Sequence, residues 1–437
     1  DKYNYIFVDE MSNGLTLNKS SIKVYAATGA NMAAVNSSKA TGAGGTLIPD
    51  TNYDVQVNGQ KFTVAFDELN KVNGVTANSY IVVEFTATLN ESAVIKNPGN
   101  PNQAKLIYSN NPNNSQGGID KKKPEDTPKD NDHDETDDDY VVVFTFDSTA
   151  TKIDKATGNV IDGASFAVFA DKTAATAAAA DPTKLNGALK FHKVGDNYKQ
   201  TKASDGINVL TGKAGIYKIE GLDQGTYYVV ETKAPAGYLR DTGVTEIKAV
   251  PVYNSSIYKD GYTGIKSPLI GGVLNGEADI TVENEKATVI ISKQDIGGKE
   301  LEGAEIWVKD NQGNVVDKWT SQIDKQTGKT DHIVSGLEVG KEYTLHEENV
   351  DNGFTVISDV RFTIDEYNAV TVLDKTTNGD VQVDKNDSKH IIITDTKAKV
   401  VISKQDINGN ELENAEIWVK DDQGTVVDKW TSKKDQQ

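Results

Sequence analysis

Short runs of β-branched and aromatic residues recur along the whole chain, separated by turns rich in glycine and asparagine. Several of these runs alternate apolar and polar positions, as in Ala304-Glu305-Ile306-Trp307-Val308. Alternation with a period of two indicates half-buried β-strands. Comparable runs are Val289-Ile290-Ile291-Ser292, Tyr227-Tyr228-Val229-Val230 and His390-Ile391-Ile392-Ile393-Thr394. The pattern predicts an all-β protein, with a single short helix at the alanine-rich stretch 171–181, which we interpret as a surface insertion.

Two segments of the chain repeat each other at the length of a whole domain. Residues 288–321 and 399–432 are identical at 27 of 34 positions, with an offset of 111 residues. A fainter copy begins at Thr151. A period this long indicates tandem domains, since solenoid repeats have periods of 20–50 residues.

The repeats divide the chain into predicted domains. We expect β-sandwiches at 1–116, 140–286 and 287–397, which for 437 residues agrees with about 150 residues per domain. Residues 398–437 begin a further copy that is too short to bury a core alone. Residues 117–139 are poor in apolar side chains and dense in charge, so we expect an acidic linker or loop there.

Composition excludes several classes of function. The chain has no cysteine, which rules out disulfides, thiolate metal sites and cysteine nucleophiles. Its net charge of −19 and pI near 4.8 would repel nucleic acid. It has no apolar run of about 18 residues, so no segment is expected to span a membrane. Because Asp1 leads directly into a predicted strand, we expect the chain to be a segment of a longer protein.

Each complete copy places one lysine, one glutamate and one amide or acid at the ends of apolar strands. In 140–286 these are Lys152, Glu231 and Asn284. In 287–397 they are Lys293, Glu347 and Asp395. Strand alternation turns Lys293 to the same side as Val289 and Ile291, which is inward if those residues face the core.

A buried lysine beside a glutamate and an acyl acceptor can react with that acceptor. Burial lowers the pKa of an amine and raises that of a carboxyl group. The neutral amine is then a nucleophile, and the protonated glutamate can polarise the acceptor carbonyl. Attack on Asn expels ammonia, and attack on Asp expels water. The other interpretation is that these charges are solvated at strand ends, where ion pairs contribute little.

Residues 287–397 resemble the collagen-adhesin B-type (CnaB) domains of Gram-positive surface proteins. The resemblance rests on Ile291-Ser292-Lys293-Gln294-Asp295, Lys299-Glu300-Leu301-Glu302-Gly303-Ala304, Tyr343-Thr344-Leu345-His346-Glu347 and His390-Ile391-Ile392-Ile393-Thr394-Asp395. It implies an isopeptide bond from Lys293 to Asp395 with Glu347 as catalytic acid. The box that follows Glu347 lacks the usual Ala-Pro.

Residues 140–286 are similar to the pilin form of the same family. Their box, Glu231-Thr232-Lys233-Ala234-Pro235-Ala236-Gly237-Tyr238, is complete. The resemblance implies a bond between Lys152 and Asn284 with Glu231 as the acid.

Residues 1–116 resemble the preceding, collagen-adhesin A-like domain of pilus backbone subunits. The matching motifs are 8–15, VDEMSNGL, and 104–112, AKLIYSNNP. The resemblance implies Asp9 as catalytic acid and Asn110 as acceptor, with Asn102 as the rival acceptor. The reactive lysine normally precedes the first motif, so we expect no complete triad here.

Lys404 repeats Lys293 in the incomplete last copy, and we expect it to be unreacted unless another chain supplies strands, because its glutamate and acceptor are absent. The resemblance further implies an extracellular, wall-anchored fimbrial protein without cofactor or metal, whose partners are other pilus subunits joined by sortase. The sortase signal and the pilin-motif lysine would lie outside this chain, and the host ligand is not specified. Apart from one self-directed turnover, no enzymatic activity is expected.

Two rival interpretations remain open. One is an adhesin with a carbohydrate or protein site in the first domain or in loop insertions, where Tyr253, Tyr258 and Tyr262 could stack on sugars. The other is a glycosidase using paired carboxylates. Five histidines, no cysteine and no recognisable site motif speak against the second.

Overall fold

Strands form nearly all of the regular structure in the computed structural model of the protein. The model describes residues 3–28, 45–96, 98–111, 113, 119, 122–127, 132–254, 272–276, 279–349 and 353–434. The chain divides into two compact units, Asp1–Lys286 and Ala287–Gln437. The predicted all-β class is confirmed.

The first domain packs two sheets around one core. The larger sheet runs in the order β4-β5-β1-β7-β8, with β9 also paired to β7, and the smaller in the order β3-β2-β6. Inward side chains of both sheets, such as Val24 and Phe62, meet in the core. The strands are β1 Tyr5–Met11, β2 Leu15–Thr28, β3 Thr46–Leu47, β4 Asp54–Asn58, β5 Lys61–Phe66, β6 Ser79–Leu89, β7 Asn100–Ser109, β8 His133–Glu135 and β9 Asp139–Val143. Short 3-10 helices lie at Asp50–Asn52, Leu69–Lys71 and Pro124–Asp126.

The acidic segment differs from the predicted linker, because its described part contributes strands to the first domain. Both β8 and β9 pair antiparallel with β7. His133 of β8 is buried and lies 3.1 Å from the side-chain oxygen of Asn4, measured from its Nε2. Backbone pairing and the buried side chains of His133 and Pro124 therefore fix a segment that has no apolar alternation.

The second domain is a sandwich of two five-stranded sheets in the orders β12-β13-β15-β10-β19 and β14-β11-β16-β17-β18. The predicted helix is confirmed as α1, Lys172–Ala180, which begins after Asp171; the Asp171 carboxylate accepts from the Ala174 N–H. This helix covers the outer face of β11 and β16. The strands are β10 Phe146–Asp154, β11 Ser165–Phe169, β12 Lys190–Val194, β13 Asn197–Thr201, β14 Leu210–Thr211, β15 Ile216–Leu222, β16 Gly225–Lys233, β17 Thr245–Asn254, β18 Gly272–Gly276 and β19 Ile280–Asn284.

The third domain repeats this plan with sheets ordered β23-β20-β28-β27 and β22-β21-β24-β25-β26. Val289 and Ile291 from the first sheet pack against Ile306 and Leu345 from the second. The strands are β20 Thr288–Asp295, β21 Glu305–Asp310, β22 Val315–Thr320, β23 His332–Ser335, β24 Glu342–Asn349, β25 Val360–Ile364, β26 Val370–Val372, β27 Gly379–Asp384 and β28 Asp387–Asp395.

The last copy forms only a two-stranded hairpin, β29 Glu416–Lys420 with β30 Val426–Thr431. Its residues Val400 and Ile402 are exposed, whereas the equivalent Val289 and Ile291 of the complete copy are buried. The sequence repeat therefore reproduces local structure without a core.

Candidate functional site

The first and last strands of the third domain lie side by side, and this pairing positions two of the predicted site residues. Strands β20 and β28 are parallel, with Lys293 opposite Ile393 and Asp295 opposite Asp395. Lys293 and Asp395 are therefore diagonal neighbours on the inward face, since alternate residues share a face. Both are fully buried.

Glu347 reaches the same point from the facing sheet. It is the inward residue of β24 at which the pairing with β21 shifts register, between Glu305 and Ile306. Its Oε1 lies 3.1 Å from Lys293 Nζ, and the same Nζ contacts Asp395 Oδ1. The structure thus brings Lys293, Glu347 and Asp395 together in the core.

The second domain repeats this arrangement. Lys152 on β10 lies opposite Val282 of the parallel strand β19, and Asn284 follows two residues later. Glu231 again sits at a register shift, between β16 and β11. Its Oε1 is 3.9 Å from Lys152 Nζ, and its Oε2 accepts a hydrogen bond of 2.8 Å from Asn284 Nδ2.

Burial shifts the ionisation of these groups in the direction that acyl transfer needs. Desolvation lowers the pKa of Lys152 and raises the pKa of Glu231 to about 6. Desolvation likewise raises the pKa of Glu347 and of Asp395. In the second domain, these opposite shifts lower the cost of moving a proton from the Lys152 amine to the Glu231 carboxyl group, which would leave a neutral nucleophile beside a neutral acid.

A backbone donor orients each glutamate, and the sequence analysis did not identify it. The Asp241 N–H donates to Glu231 Oε2 at 2.6 Å, and the Ile357 N–H donates to Glu347 Oε2 at 3.0 Å. In both domains the donor lies ten residues beyond the glutamate. Because the donor is a backbone N–H on two unlike residues, the sequence carried no signal for it. This bond fixes Oε2 and leaves Oε1 facing the lysine.

The first domain places Asn102, and not the first choice Asn110, beside Asp9. Asn110 is exposed beyond the end of β7, and its N–H donates to the carbonyl of Asp132. Asp9 instead pairs with Ala104, so Asn110 lies about 20 Å further along the strand. The rival, Asn102, donates from Nδ2 to Asp9 Oδ2 at 2.8 Å.

Asp9 and Asn102 form a hydrogen-bonded pair that corresponds to the predicted acid and the rival acceptor. Asp9 is buried, and neither its Oδ1 nor Asn102 Oδ1 has a hydrogen-bond partner among the described residues. Among the described residues, no ion pair links Asp9 to a lysine. A cleft of about 710 Å³ lies beside the pair and is lined by Asn102, Met11, Leu15 and Phe85 among others.

The Asp9 carboxyl predicts a pH effect on the first domain. Desolvation raises the pKa of Asp9 from 3.8 to about 6. The folded state therefore binds the proton more tightly, and the resulting stability is present below about pH 4 and lost as the pH rises through about 6. The change corresponds to about 3 kcal/mol.

We expect Asp9→Asn to abolish this pH dependence. The measurement is the free energy of opening of β1 by amide hydrogen exchange at pH 4 and at pH 7, in the variant and the wild type. Glu10→Gln, one residue along the strand and exposed, is the control. Equal pH slopes in wild type and Asp9→Asn would contradict the assignment.

One further predicted residue, Lys404, takes no part in the assembled sites. Lys404 is exposed, although the hydrogen bond from the Leu412 N–H to its carbonyl repeats the one from Leu301 to Lys293. Tyr258 and Tyr262 fall outside the described residues, and of Tyr253 only the backbone is described. In the described ranges, no group of three His, Asp or Glu side chains is arranged to hold a metal ion, and no helix is long and apolar enough to cross a membrane.

The fold and the buried lysine–glutamate–acceptor groups define a tandem β-sandwich protein with repeated core sites. Residues 1–112 match the family model described as Gram-positive pilin backbone subunit 2, Cna-B-like domain. Residues 147–256 and 287–394 match the SpaA prealbumin-like fold domain. Together these matches cover about three quarters of the chain, which belongs to the Gram-positive pilins. The description gives a B-like type for the first domain, where the sequence analysis expected the A-like type.

This chain is similar to several pilus proteins over part of their length. The Trypsin-resistant surface T6 protein of Streptococcus pyogenes serotype M6 is 26% identical over 248 residues, which are 55% of this chain and 37% of that relative. The group B streptococcus pilus 2b backbone protein is 22% identical, with a TM-score of 0.39 over 65% of this chain and 86% of that one. The T6 backbone pilin of serotype M6 S. pyogenes is 20% identical, with a TM-score of 0.39 over 65% of this chain and 61% of that one.

Proposed function

We propose that the chain is a structural segment of a Gram-positive surface pilus whose second and third domains cross-link themselves through isopeptide bonds. One observation carries the proposal: in each domain a buried lysine lies beside a buried glutamate and an Asn or Asp on the neighbouring terminal strand. Removing a charge from water costs several kcal/mol, so an unreacted buried lysine would destabilise the folded domain.

The proposed reaction in the third domain is an acyl transfer without cofactor. Lys293 Nζ, as a neutral amine, attacks Cγ of protonated Asp395. Glu347 donates its proton to the acceptor carbonyl oxygen and takes up the proton released by Nζ. The Nζ–Cγ bond forms and the bond from Cγ to one hydroxyl oxygen breaks. Glu347 passes the Nζ proton to that oxygen, so water leaves, and takes back the proton of the other hydroxyl as the carbonyl re-forms. Each domain reacts once, so this is self-modification and not turnover.

The second domain follows the same course with an amide as acceptor. Lys152 attacks Cγ of Asn284, the C–N bond breaks, and ammonia leaves carrying the proton that Glu231 relays. The hydrogen bond from Lys152 Nζ to the Val282 carbonyl, 2.9 Å, holds the amine at the strand that carries the acceptor. Proximity of this kind supplies much of the rate in intramolecular reactions.

The first domain supplies an acid and an acceptor in Asp9 and Asn102. Their hydrogen bond, and the oxygens without a partner among the described residues, support Asp9 as the acid and Asn102 as the acceptor in a reaction with a lysine. Asn102 and not Asn110 would then carry the cross-link.

The cross-links suit a load-bearing fibre at the cell surface. Each joins the first and last strands of its domain, so a force applied at the domain ends passes through a covalent bond. The partners would be further pilus subunits, joined by sortase.

Labelling of the source cells tests the structural role. Antibodies raised against residues 287–434 should label fibres along their length. Cell-wall extracts boiled in detergent and separated by gel electrophoresis should give a ladder of bands that these antibodies recognise. Labelling confined to fibre tips, without a ladder, would instead favour the ligand-binding adhesin.

A further inference from the structure

A second pair of buried polar side chains joins the same two strands of the third domain on the opposite face of the sheet. Ser292 Oγ and His390 Nε2 are 2.9 Å apart, and both side chains are buried. Ser292 immediately precedes Lys293, and His390 lies five residues before Asp395. The proposed cross-linking chemistry uses neither.

The pair is not arranged as a nucleophilic site. Asp384 Oδ2 lies 3.8 Å from His390 Nδ1 and Asp331 Oδ1 lies 3.7 Å from Nε2, beyond hydrogen-bond distance. Ser292 is 1% exposed, so no substrate reaches its hydroxyl. The role of the pair must therefore be internal to the fold.

The register of β28 on β20 is weakly set by apolar contacts alone. Inward Ile391 and Ile393 are chemically the same, and Ile392 lies between them on the outer face. A shift of β28 by two residues keeps inward side chains inward, because the side-chain period of a strand is two. It would still move Asp395 about 6.6 Å along β20, out of bonding reach of Lys293.

The Ser292–His390 hydrogen bond forms in one register only. In a shifted register both groups would be buried without this partner, and an unsatisfied buried polar group is unfavourable. Single buried polar pairs set register in other assemblies for the same reason. A hydroxyl precedes the lysine in all three copies, as Thr151, Ser292 and Ser403.

We propose that Ser292 and His390 are positioning residues that set the register of β28 on β20 and so bring Asp395 to Lys293 for cross-linking. The inference rests on the proposed function of the third domain. Ser292 and His390 would affect the rate and the completeness of the Lys293–Asp395 reaction through the strand register, and they would not contact the reacting atoms.

The test follows cross-linking in the full chain as it is made. The chain is synthesised in a cell-free system, samples are quenched in denaturant, and peptide mapping by mass measures each cross-link separately. The Lys152–Asn284 bond of the second domain is an internal reference in the same molecule. Ser292→Val and His390→Leu remove the hydrogen bond, while Ser292→Thr keeps the hydroxyl on a β-branched side chain like that of valine.

We expect Ser292→Val and His390→Leu to slow the third-domain reaction roughly 10- to 100-fold relative to the second, the scale of a small misplacement of reacting groups. Ser292→Thr should stay close to the wild-type rate. Hydrogen exchange in β21 and β24 of the opposite sheet identifies chains whose third domain has folded, and only those are compared.

Wild-type rates in folded Ser292→Val and His390→Leu would overturn the positioning role while leaving the chemistry intact. An equal slowing in Ser292→Thr would overturn it too, because the hydroxyl would then not matter. A wild-type chain without either cross-link would overturn the proposed function, and this inference with it.

Discussion

Replacing Lys293 by methionine should lower the free energy of unfolding of the third domain by about 5 kcal/mol, the chain-entropy value for a cross-link closing a loop of about 100 residues. The bond ties Lys293 to Asp395 and restricts the unfolded chain over almost the whole domain. Methionine has a similar length and no charge, so the core remains filled. For a domain of this size the melting temperature should fall on the order of 20 °C.

The variant Glu347→Gln distinguishes the contribution of the cross-link to stability from that of core packing. It keeps Lys293, Asp395 and the volume of the core but removes the acid, so it should also remain unlinked and lose comparable stability. Calorimetry of both variants, with the second-domain transition as reference, makes the measurement. A melting temperature of the third domain within a few degrees of wild type in both variants would contradict a covalent tie.

Pulling a single chain by its ends should release far less length from the wild type than from unlinked variants. The segments from Lys152 to Asn284 and from Lys293 to Asp395 contain about 130 and 100 residues, or about 450 and 350 Å when extended. A covalent bond between each pair prevents this segment from extending at any force that breaks only noncovalent contacts.

The matched variants are Glu231→Gln and Glu347→Gln. Each should add one unfolding step of the stated length, and the double variant should add both. Steps of full domain length in the wild type would contradict the load-bearing role. The same change at a half-exposed glutamate, Glu338→Gln, should add none.

The sequence predicted the two complete sites because repetition exposed them. Lys293, Glu347 and Asp395 recur at matching strand ends in the second domain, and alternation turned each inward. Local patterns carry this information, since the period of a strand determines which face a side chain occupies.

Other features depended on contacts that strand patterns do not encode. Asn102 and Asn110 lie on or beside the same strand, and only the pairing of β1 with β7 decides which meets Asp9. Strand β8 is charged and pairs through its backbone, so its sequence gave no apolar signal. The orienting N–H groups of Asp241 and Ile357 belong to loops that return to the core.

The mass of the intact chain, measured after denaturation, tests the central claim most directly. Loss of ammonia at Lys152–Asn284 and of water at Lys293–Asp395 should lower the mass by about 35 Da from the value given by the sequence, because acyl transfer expels one small molecule per bond. The Glu231→Gln and Glu347→Gln variants should each recover one part of that deficit. A wild-type chain at its full sequence mass would contradict self-cross-linking in both domains.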